Sequence, residues 1–451
     1  MPKVALHTLG CKLNFAESAT IARQFEREGF DVVEGDGQAD VCVINTCSVT
    51  ERADRECRQI VRRALRHSPD AYVIVVGCYA QLQPTEIAGI PGVDLVLGTR
   101  EKFEIFRHAG GFQKHSCAQT FVSSVEEIDT FSGASSAGSH ERTRAFIKVQ
   151  DGCDYSCSFC TIPMARGTSR STGIEAIVAQ TEIAVANGYQ EVVLTGVNVG
   201  DYGRKFGSSL LELLKELTRV SDLRRIRISS VEPNLLSDEL LAFWAANPIL
   251  CKHFHLPLQA GNDAILQSMR RRYLTGLYAD RVARIRSLLP DAGIGADLIT
   301  GFPGETDELF DATYRFLVDL PISYLHVFTY SPRPNTPAAG LAGQVEPRIR
   351  FERSERLRLL SSRKRHAFQQ RFVGSVCEVL VEDRTDDGFW TGLTSQYIRV
   401  NFPSAEDLSN RIAILKISGL EGEHCGGEVL DTSSSPIHIL STTSGEVPLC
   451  A

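Results

Sequence analysis

The sequence predicts an α/β protein of three parts, and three observations predict it. Apolar runs alternate with amphipathic helical patterns over residues 1–100 and again over 144–335, as in parallel sheets covered by helices. A stretch rich in Ser, Gly and acid, residues 123–143, separates the two alternations. After Gly374 the helical patterns stop and short alternating strands take over. The expected architecture is an N-terminal open parallel-sheet domain (1–112), a linker (113–143), a central partial (β/α)6 TIM-like barrel (144–370) and a small C-terminal all-β barrel (371–440).

The elements follow in order. VALHTL (4–9), VCVINT (41–46) and YVIVVG (72–77) are strands, with helices from about Glu17 to Glu28 and Glu51 to His67 between them. Residues 123–143 read as a linker, or in part as an ordered surface loop. AFIKVQ (145–150), EVVLTG (191–196), RIRISS (225–230), HFHLPL (253–258), IGADLIT (294–300) and YLHVFTY (324–330) are the barrel strands. Helical patterns lie over 174–187, 208–219, 237–246, 276–288 and 307–319. Six units fall short of the eight that close a barrel, so an open one is expected. Residues 345–372 form a long basic helix, and VCEVLVE, GFWTGLT, YIRVNF and RIAILKISGL are the strands of the last domain.

Composition removes some function classes. With 43% apolar residues in 451, the chain has enough material for packed cores and is not a disordered protein. No uncharged apolar run reaches the roughly 18 residues needed to span a bilayer, and the N-terminus lacks a secretory apolar region. A cytoplasmic protein with no membrane partner is expected. The net charge of −7 argues against a nucleic-acid partner only at first sight. Residues 348–371 hold nine Lys/Arg and two Glu, so this segment carries +7 and the rest of the chain −14. The segment is either a phosphate-contacting surface or a solvated helix face.

Cysteine carries the chemistry. There are 13, and in a reducing compartment cysteines serve more often as metal ligands or catalytic groups than as disulfides. In DGCDYSCSFC, Cys153, Cys157 and Cys160 follow C-x3-C-x2-C spacing directly after the first barrel strand. Three thiolates on one loop suit three irons of a four-iron cluster and leave the fourth open to a small molecule. No second ligand pair follows at zinc spacing. Cys11, Cys47 and Cys78 each follow a predicted parallel strand, so they converge on one sheet edge. They are either a second ligand set or three buried thiols. Cys42, Cys57, Cys117, Cys251, Cys377, Cys425 and Cys450 read as small hydrophobes or isolated thiols.

Polar residues recur at the ends of the barrel strands: Gly196 and Gly200; Ser230 and Glu232; Gln259, Gly261 and Asn262; Asp297, Thr300 and Glu305; Tyr330, Ser331, Arg333 and Thr336. Each is a cap or turn residue or a group facing the site. Asp297 is the sharpest candidate for a substrate or cofactor contact. His253 and His255 share a strand face without a third partner in sequence, which suits hydrogen-bonded barrel histidines. Arg166 and Arg170 steer an anion or sit on the approach to a helix.

The cluster loop, with Phe159 before its last Cys, resembles the radical S-adenosylmethionine superfamily. The resemblance implies a 4Fe-4S cluster on Cys153, Cys157 and Cys160 whose open iron chelates S-adenosylmethionine, the source of a 5′-deoxyadenosyl radical. It also implies cofactor contacts at Phe159 and the Gly196 region. Phe159 is otherwise a core aromatic. TLGCKLN, NTCSVT and GCYAQ before DGCDYSCSFC resemble the methylthiotransferase branch, which implies a second, auxiliary 4Fe-4S cluster on Cys11, Cys47 and Cys78. HTLGCKLN and NTCSVTERADRECRQIVRRA are most similar to the subgroup acting on threonylcarbamoyladenosine in tRNA, and the C-terminal barrel resembles the RNA-binding TRAM domain. The implied reaction adds a methylthio group to C2 of the modified adenosine beside the tRNA anticodon, with an external electron donor and sulfur source. The rival readings are an isopentenyladenosine tRNA or ribosomal-protein substrate, and a non-catalytic RNA-binding protein with structural metal.

Overall fold

The structure, a computed structural model, describes residues 1–33, 37–48, 51–137 and 143–432, without the side chains of 51 and 52. Cys450, part of the expected linker (138–142) and the end of the expected last domain (433–440) lie outside these residues.

The N-terminal strands form a six-stranded, all-parallel sheet in the order Asp31–Val33, Lys3–Thr8, Val41–Thr46, Tyr72–Gly77, Leu95–Leu97, Gln119–Phe121. Its central strands are continuously apolar because both faces are covered. Cys42, Ile44, Val73 and Val75 pack with Cys57, Ile60 and Val61 on one side. Val41, Val43 and Ile74 pack with Ile21 and Phe25 on the other. The last strand lies inside the interval expected as linker, where three residues are too few to carry a strand signal in sequence. A second piece of that interval is also anchored. Ser136 N donates to Phe146 O at 2.9 Å and Lys148 N to Ala134 O at 2.9 Å, so residues 134–136 cover the edge of the first barrel strand.

All six barrel strands form, as two three-stranded parallel sheets. One runs Arg144–Lys148, Glu191–Thr195, Arg225–Ile228, and the other His253–Gln259, Gly293–Thr300, Tyr324–Thr329. Ile226 joins them, donating to Ile249 O at 2.7 Å and accepting from Cys251 N at 2.9 Å. The two outer strands are not paired with one another, and other elements cover them. Helix Lys12–Arg27 sets Phe15 edge-on against Phe146, centroids 5.5 Å apart. Helix Pro347–Gln370 lies along the last strand, where Ser361 Oγ accepts from Leu325 N and donates to Leu325 O, both at 2.9 Å. The first helix starts at Lys12 rather than Glu17, and Cys11 is its N-cap.

The C-terminal domain is a closed five-stranded barrel in the order Val376–Arg384, Trp390–Thr394, Arg399–Phe402, His424–Asp431, Ile412–Glu421. The strand His424–Asp431 has no clear sequence pattern, because two glycines break its alternation. This domain seats against the central barrel. Arg227 is fully buried, bonded to Glu191 at 2.6 and 3.1 Å and to the carbonyls of Thr394 and Ser395 at 3.2 Å. Arg225 donates to the carbonyls of Leu393 and Glu378 at 3.0 and 2.9 Å.

Candidate active site between two thiol triads

The loop carrying Cys153, Cys157 and Cys160 is closed at its base by a short antiparallel ladder, Gln150–Asp151 on Arg170–Ser171. Gly152 has φ +70°, and a β-carbon there would stand 2.0 Å from Thr168 O, so only glycine fits. Gln150 Nε2 donates to Gly152 O at 2.7 Å and to Ser169 Oγ at 3.0 Å, tying the two arms together. Each sulfur accepts one hydrogen bond: Cys153 from Tyr155 N (3.4 Å), Cys160 from Ile162 N (3.4 Å) and Cys157 from the Arg271 guanidinium (3.1 Å). Burial pushes the Cys153 thiol up to about 11, Cys160 up to about 12, and Cys157 upward. Such sulfurs ionise only when a positive centre reaches them, which is what a metal cluster supplies.

A cavity of about 250 Å³ opens beside this loop, lined by Phe159, Cys160, Gln259, Asp297, Tyr330 and Ser331 among others. Gln259 sits in the left-handed region, φ +72°, at a bulge where the strand register slips, and this aims it at the cavity. Asp297 Oδ1 meets His255 Nε2 at 2.7 Å and His326 Nδ1 at 3.2 Å, and Ser230 Oγ meets His255 Nδ1 at 2.7 Å. The histidines hold the Asp297 carboxyl well below its usual range despite its burial. The third partner that His255 lacks in sequence therefore comes from two neighbouring strands. His253 is separate, buried and bonded to Tyr324 OH at 2.7 Å.

Other candidates have structural partners. Glu232 pairs with Arg271, the residue that also holds Cys157. A β-carbon on Gly196 would meet Gln150 O at 2.9 Å, and one on Gly200 would meet Leu235 Cβ at 2.9 Å. Both glycines are thus required by packing within the protein. Thr300 bonds Ser354, Glu305 pairs with Arg353, and Asn262 caps a helix. Arg271, Gln150, Asn198 and Ser229 escaped sequence reasoning. Asn198 Oδ1 and Ser229 Oγ are buried at strand ends without a hydrogen-bond partner in the protein.

The second triad is set by register. Cys11, Cys47 and Cys78 follow three adjacent strands, and the pairings Thr8↔Asn45 and Thr46↔Gly77 bring the strand ends into line. Gly10 has φ +99°, and a β-carbon there would stand 2.8 Å from Cys47 Sγ. Asn14 Nδ2 donates to Leu9 O (2.7 Å) and Thr46 O (2.9 Å), bridging the Cys11 and Cys47 loops. Thr46 Oγ1 donates to Val76 O (2.6 Å) and accepts from Tyr79 N (3.2 Å), bridging the Cys47 and Cys78 loops.

The loops that carry the two cysteine sets touch across one domain interface. Thr161, next to Cys160, donates to the carbonyl of Ser48, next to Cys47, at 3.5 Å. Arg333 donates to Ser48 Oγ at 2.7 Å and Asp54 Oδ2 at 2.6 Å. Arg166 Nε donates to Cys78 Sγ at 3.2 Å. Arg166 is buried in this interface, away from any solvent approach, and Arg170 lies against it, donating to Arg166 O at 2.9 Å. None of the twelve described cysteines forms a disulfide; Cys42, Cys57, Cys251, Cys377 and Cys425 are buried, and Cys117 is exposed.

The basic helix is less basic in space than in sequence. Arg353 is buried on Glu305 and Asp307, Arg356 pairs with Asp311, Arg348 with Glu352, Arg358 with Glu355, and Arg371 with Asp291. Three of these arginines, Arg353, Arg356 and Arg371, thus face acids from outside the segment. No described helix is long and apolar enough to cross a membrane.

Comparison with known proteins places the chain in a family. An uncharacterized protein family, UPF0004, matches residues 3–98, the Radical SAM superfamily residues 147–317 and the TRAM domain residues 370–414. Threonylcarbamoyladenosine tRNA methylthiotransferase MtaB of Bacillus subtilis is 38% identical over 92% of this chain and 94% of its own. The MtaB of Aquifex aeolicus is 37% identical over 92% of this chain and 100% of its own. The tRNA-2-methylthio-N(6)-dimethylallyladenosine synthase of Wolinella succinogenes is 34% identical over 92% and 96%. Among solved structures, the radical S-adenosylmethionine methyltransferase TsrM from Kitasatospora setae shares the fold, with a TM-score of 0.54 and 17% identity over 75% of this chain and 77% of that one. Relatives of one kind thus match along nearly the whole length at a third or more of positions, and the chain belongs to the radical S-adenosylmethionine methylthiotransferases.

Proposed function

We propose that the protein adds a methylthio group to C2 of N6-threonylcarbamoyladenosine at position 37 of tRNA. The observation that carries this reading is the contact between the loops of two cysteine sets across one interface beside a cavity, in a chain whose relatives include MtaB proteins. Cys153, Cys157 and Cys160 would hold one 4Fe-4S cluster, and Cys11, Cys47 and Cys78 a second. With S-adenosylmethionine bound, the first cluster supplies a carbon radical able to take hydrogen from a C–H bond that neither acid nor base activates.

The chain's own residues position and exclude. Tyr155 N, Ile162 N and Arg271 orient the sulfurs of the first set. Phe159 offers a ring to the cofactor's adenine, and the strand-end groups around Gly196, Ser230, Glu232 and Gln259 bound its polar portion, with Asn198 and Ser229 as open partners. Asp297, fixed by His255 and His326, lines the same cavity and would meet the substrate there. The anticodon stem-loop docks with help from the C-terminal barrel, in the cytoplasm. Electrons and replacement sulfur come from external donors.

Mass spectrometry of tRNA nucleosides from cells lacking the protein tests the reading. The 2-methylthio derivative of threonylcarbamoyladenosine should disappear and its precursor rise. Its persistence in a strain with no second such enzyme would overturn the substrate, and loss of the dimethylallyl derivative instead would reassign it. In the purified protein, Cys157→Ala should abolish cleavage of S-adenosylmethionine, whereas Cys47→Ala should keep cleavage and lose product.

A further inference from the structure

Behind Cys78 lies a buried cluster of five charged side chains drawn from both domains. Lys102 Nζ is 2.7 Å from Glu17 Oε1, and Lys148 Nζ is 2.9 Å from the same oxygen and 2.6 Å from Asp151 Oδ2. The Arg166 guanidinium lies 3.0 Å from both Glu17 Oε1 and Asp151 Oδ1, and donates to Asn14 Oδ1 at 2.7 Å. No member has a side chain more than 4% exposed. Arg170 reaches Asp151 only at 3.7 Å, from the edge.

The charges do not balance. Three cations, each within 3.0 Å of a carboxylate oxygen, meet only two carboxylates. One cation is thus left without a carboxylate of its own among fully buried side chains, and burial already lowers the pKa of Lys102 to about 8. The remaining Arg166 donor, Nε–H, points at Cys78 Sγ. At the other cysteine set the guanidinium that touches sulfur is neutralised: Arg271, beside Cys157, is paired with Glu232. A four-iron core of charge two plus on three thiolates carries one net negative charge, which matches the surplus.

We infer that Lys102, Lys148 and Arg166, organised on Glu17 and Asp151, are the built-in counter-charge of an anionic thiolate-bound cluster at Cys11, Cys47 and Cys78, with Arg166 the positioning residue that ties this site to the domain of the other three cysteines. The inference rests on the two-cluster reading above. A fixed positive charge beside a cluster favours its more reduced, more negative state and so raises its potential. Lys102 is the cleanest probe: it lies behind Glu17, and removing its charge leaves two cations on two carboxylates.

The test uses the full chain carrying Cys153→Ala, Cys157→Ala and Cys160→Ala, so that only the N-terminal set can hold iron. Iron and acid-labile sulfide are measured, and the midpoint potential is read by electron paramagnetic resonance during redox titration. Adding Lys102→Met should keep the iron and shift the midpoint to a more negative potential. Adding Arg166→Gln should shift it in the same direction and speed loss of iron to a chelator, whereas Arg166→Lys should restore part of the shift. Iron-loaded Lys102→Met and Arg166→Gln proteins with unchanged midpoints would overturn the counter-charge and leave the two-cluster reading standing. A triple-alanine protein that binds no iron would defeat the two-cluster reading itself, and the inference with it.

Discussion

At the scale of single residues, the site depends on groups placed to hold sulfur loops still. Asn14 and Thr46 make no chemistry of their own, yet each bridges two cysteine loops through backbone atoms. Gly10 and Gly152 sit where any β-carbon would collide with a neighbour. His253 shows how burial reaches into pH dependence. It is fully buried, stacks on Tyr397 at 4.5 Å and faces Arg227, Lys12, His255 and His326. Burial first, and the positive charges of Arg227 and Lys12 second, hold its pKa well below the usual 6.5. Below about pH 6.5 the unfolded chain therefore binds a proton that the folded chain refuses, and stability falls with falling pH by up to about 1.4 kcal/mol per pH unit. Melting curves from pH 7.5 to 5.5 should show a shallower acid slope for His253→Gln than for the parent. Parallel slopes would mean that another group controls the acid limit.

At the scale of elements, loops from one domain are stapled to the other. The turn after the last barrel strand carries Arg333, which holds Ser48 and Asp54 beside Cys47. Asp54 is largely buried, and burial first, with Glu86, raises its pKa against the pull of Arg333 and Ser48. Arg333→Met leaves that carboxylate without its partner, at a cost of about 3–5 kcal/mol in denaturant unfolding. The double variant Arg333→Met/Asp54→Leu should recover most of the loss, because replacing both partners removes the stranded charge. A single variant within ~1 kcal/mol of the parent would show that the staple bears no load. The basic helix is the converse case. Its run of arginines reads as a surface for phosphate, yet helix Pro347–Gln370 lies along the barrel and spends several of them on nearby acids.

At the scale of the whole molecule, the central barrel is completed by its neighbours. The first helix covers the outer strand at Phe146, the basic helix covers the last strand, and the C-terminal barrel caps Arg225 and Arg227 with backbone carbonyls. A chain ending after Gln370 loses those carbonyls and uncovers the face of the central barrel on which the last domain seats, leaving Arg227 only its Glu191 partner. It should be poorly soluble or melt well below the full chain. A soluble 1–370 protein with an unchanged melting temperature would show that the last domain contributes binding only.

Much of this was legible in the sequence, for definite reasons. Strand and helix periods, the C-x3-C-x2-C spacing and the strand-end positions of Cys11, Cys47 and Cys78 are local patterns, and local patterns dictate element type and order. Alternation alone placed all six barrel strands. What tertiary structure alone decided is which side chains meet across elements far apart in the chain. Arg166 meets Glu17, Arg333 meets Asp54, Arg271 meets Cys157, and His255 meets Asp297 and His326. No periodicity encodes such contacts. They arise because burying a charge or a polar atom is costly unless a partner arrives with it, and the partner is chosen by how the sheets and domains close.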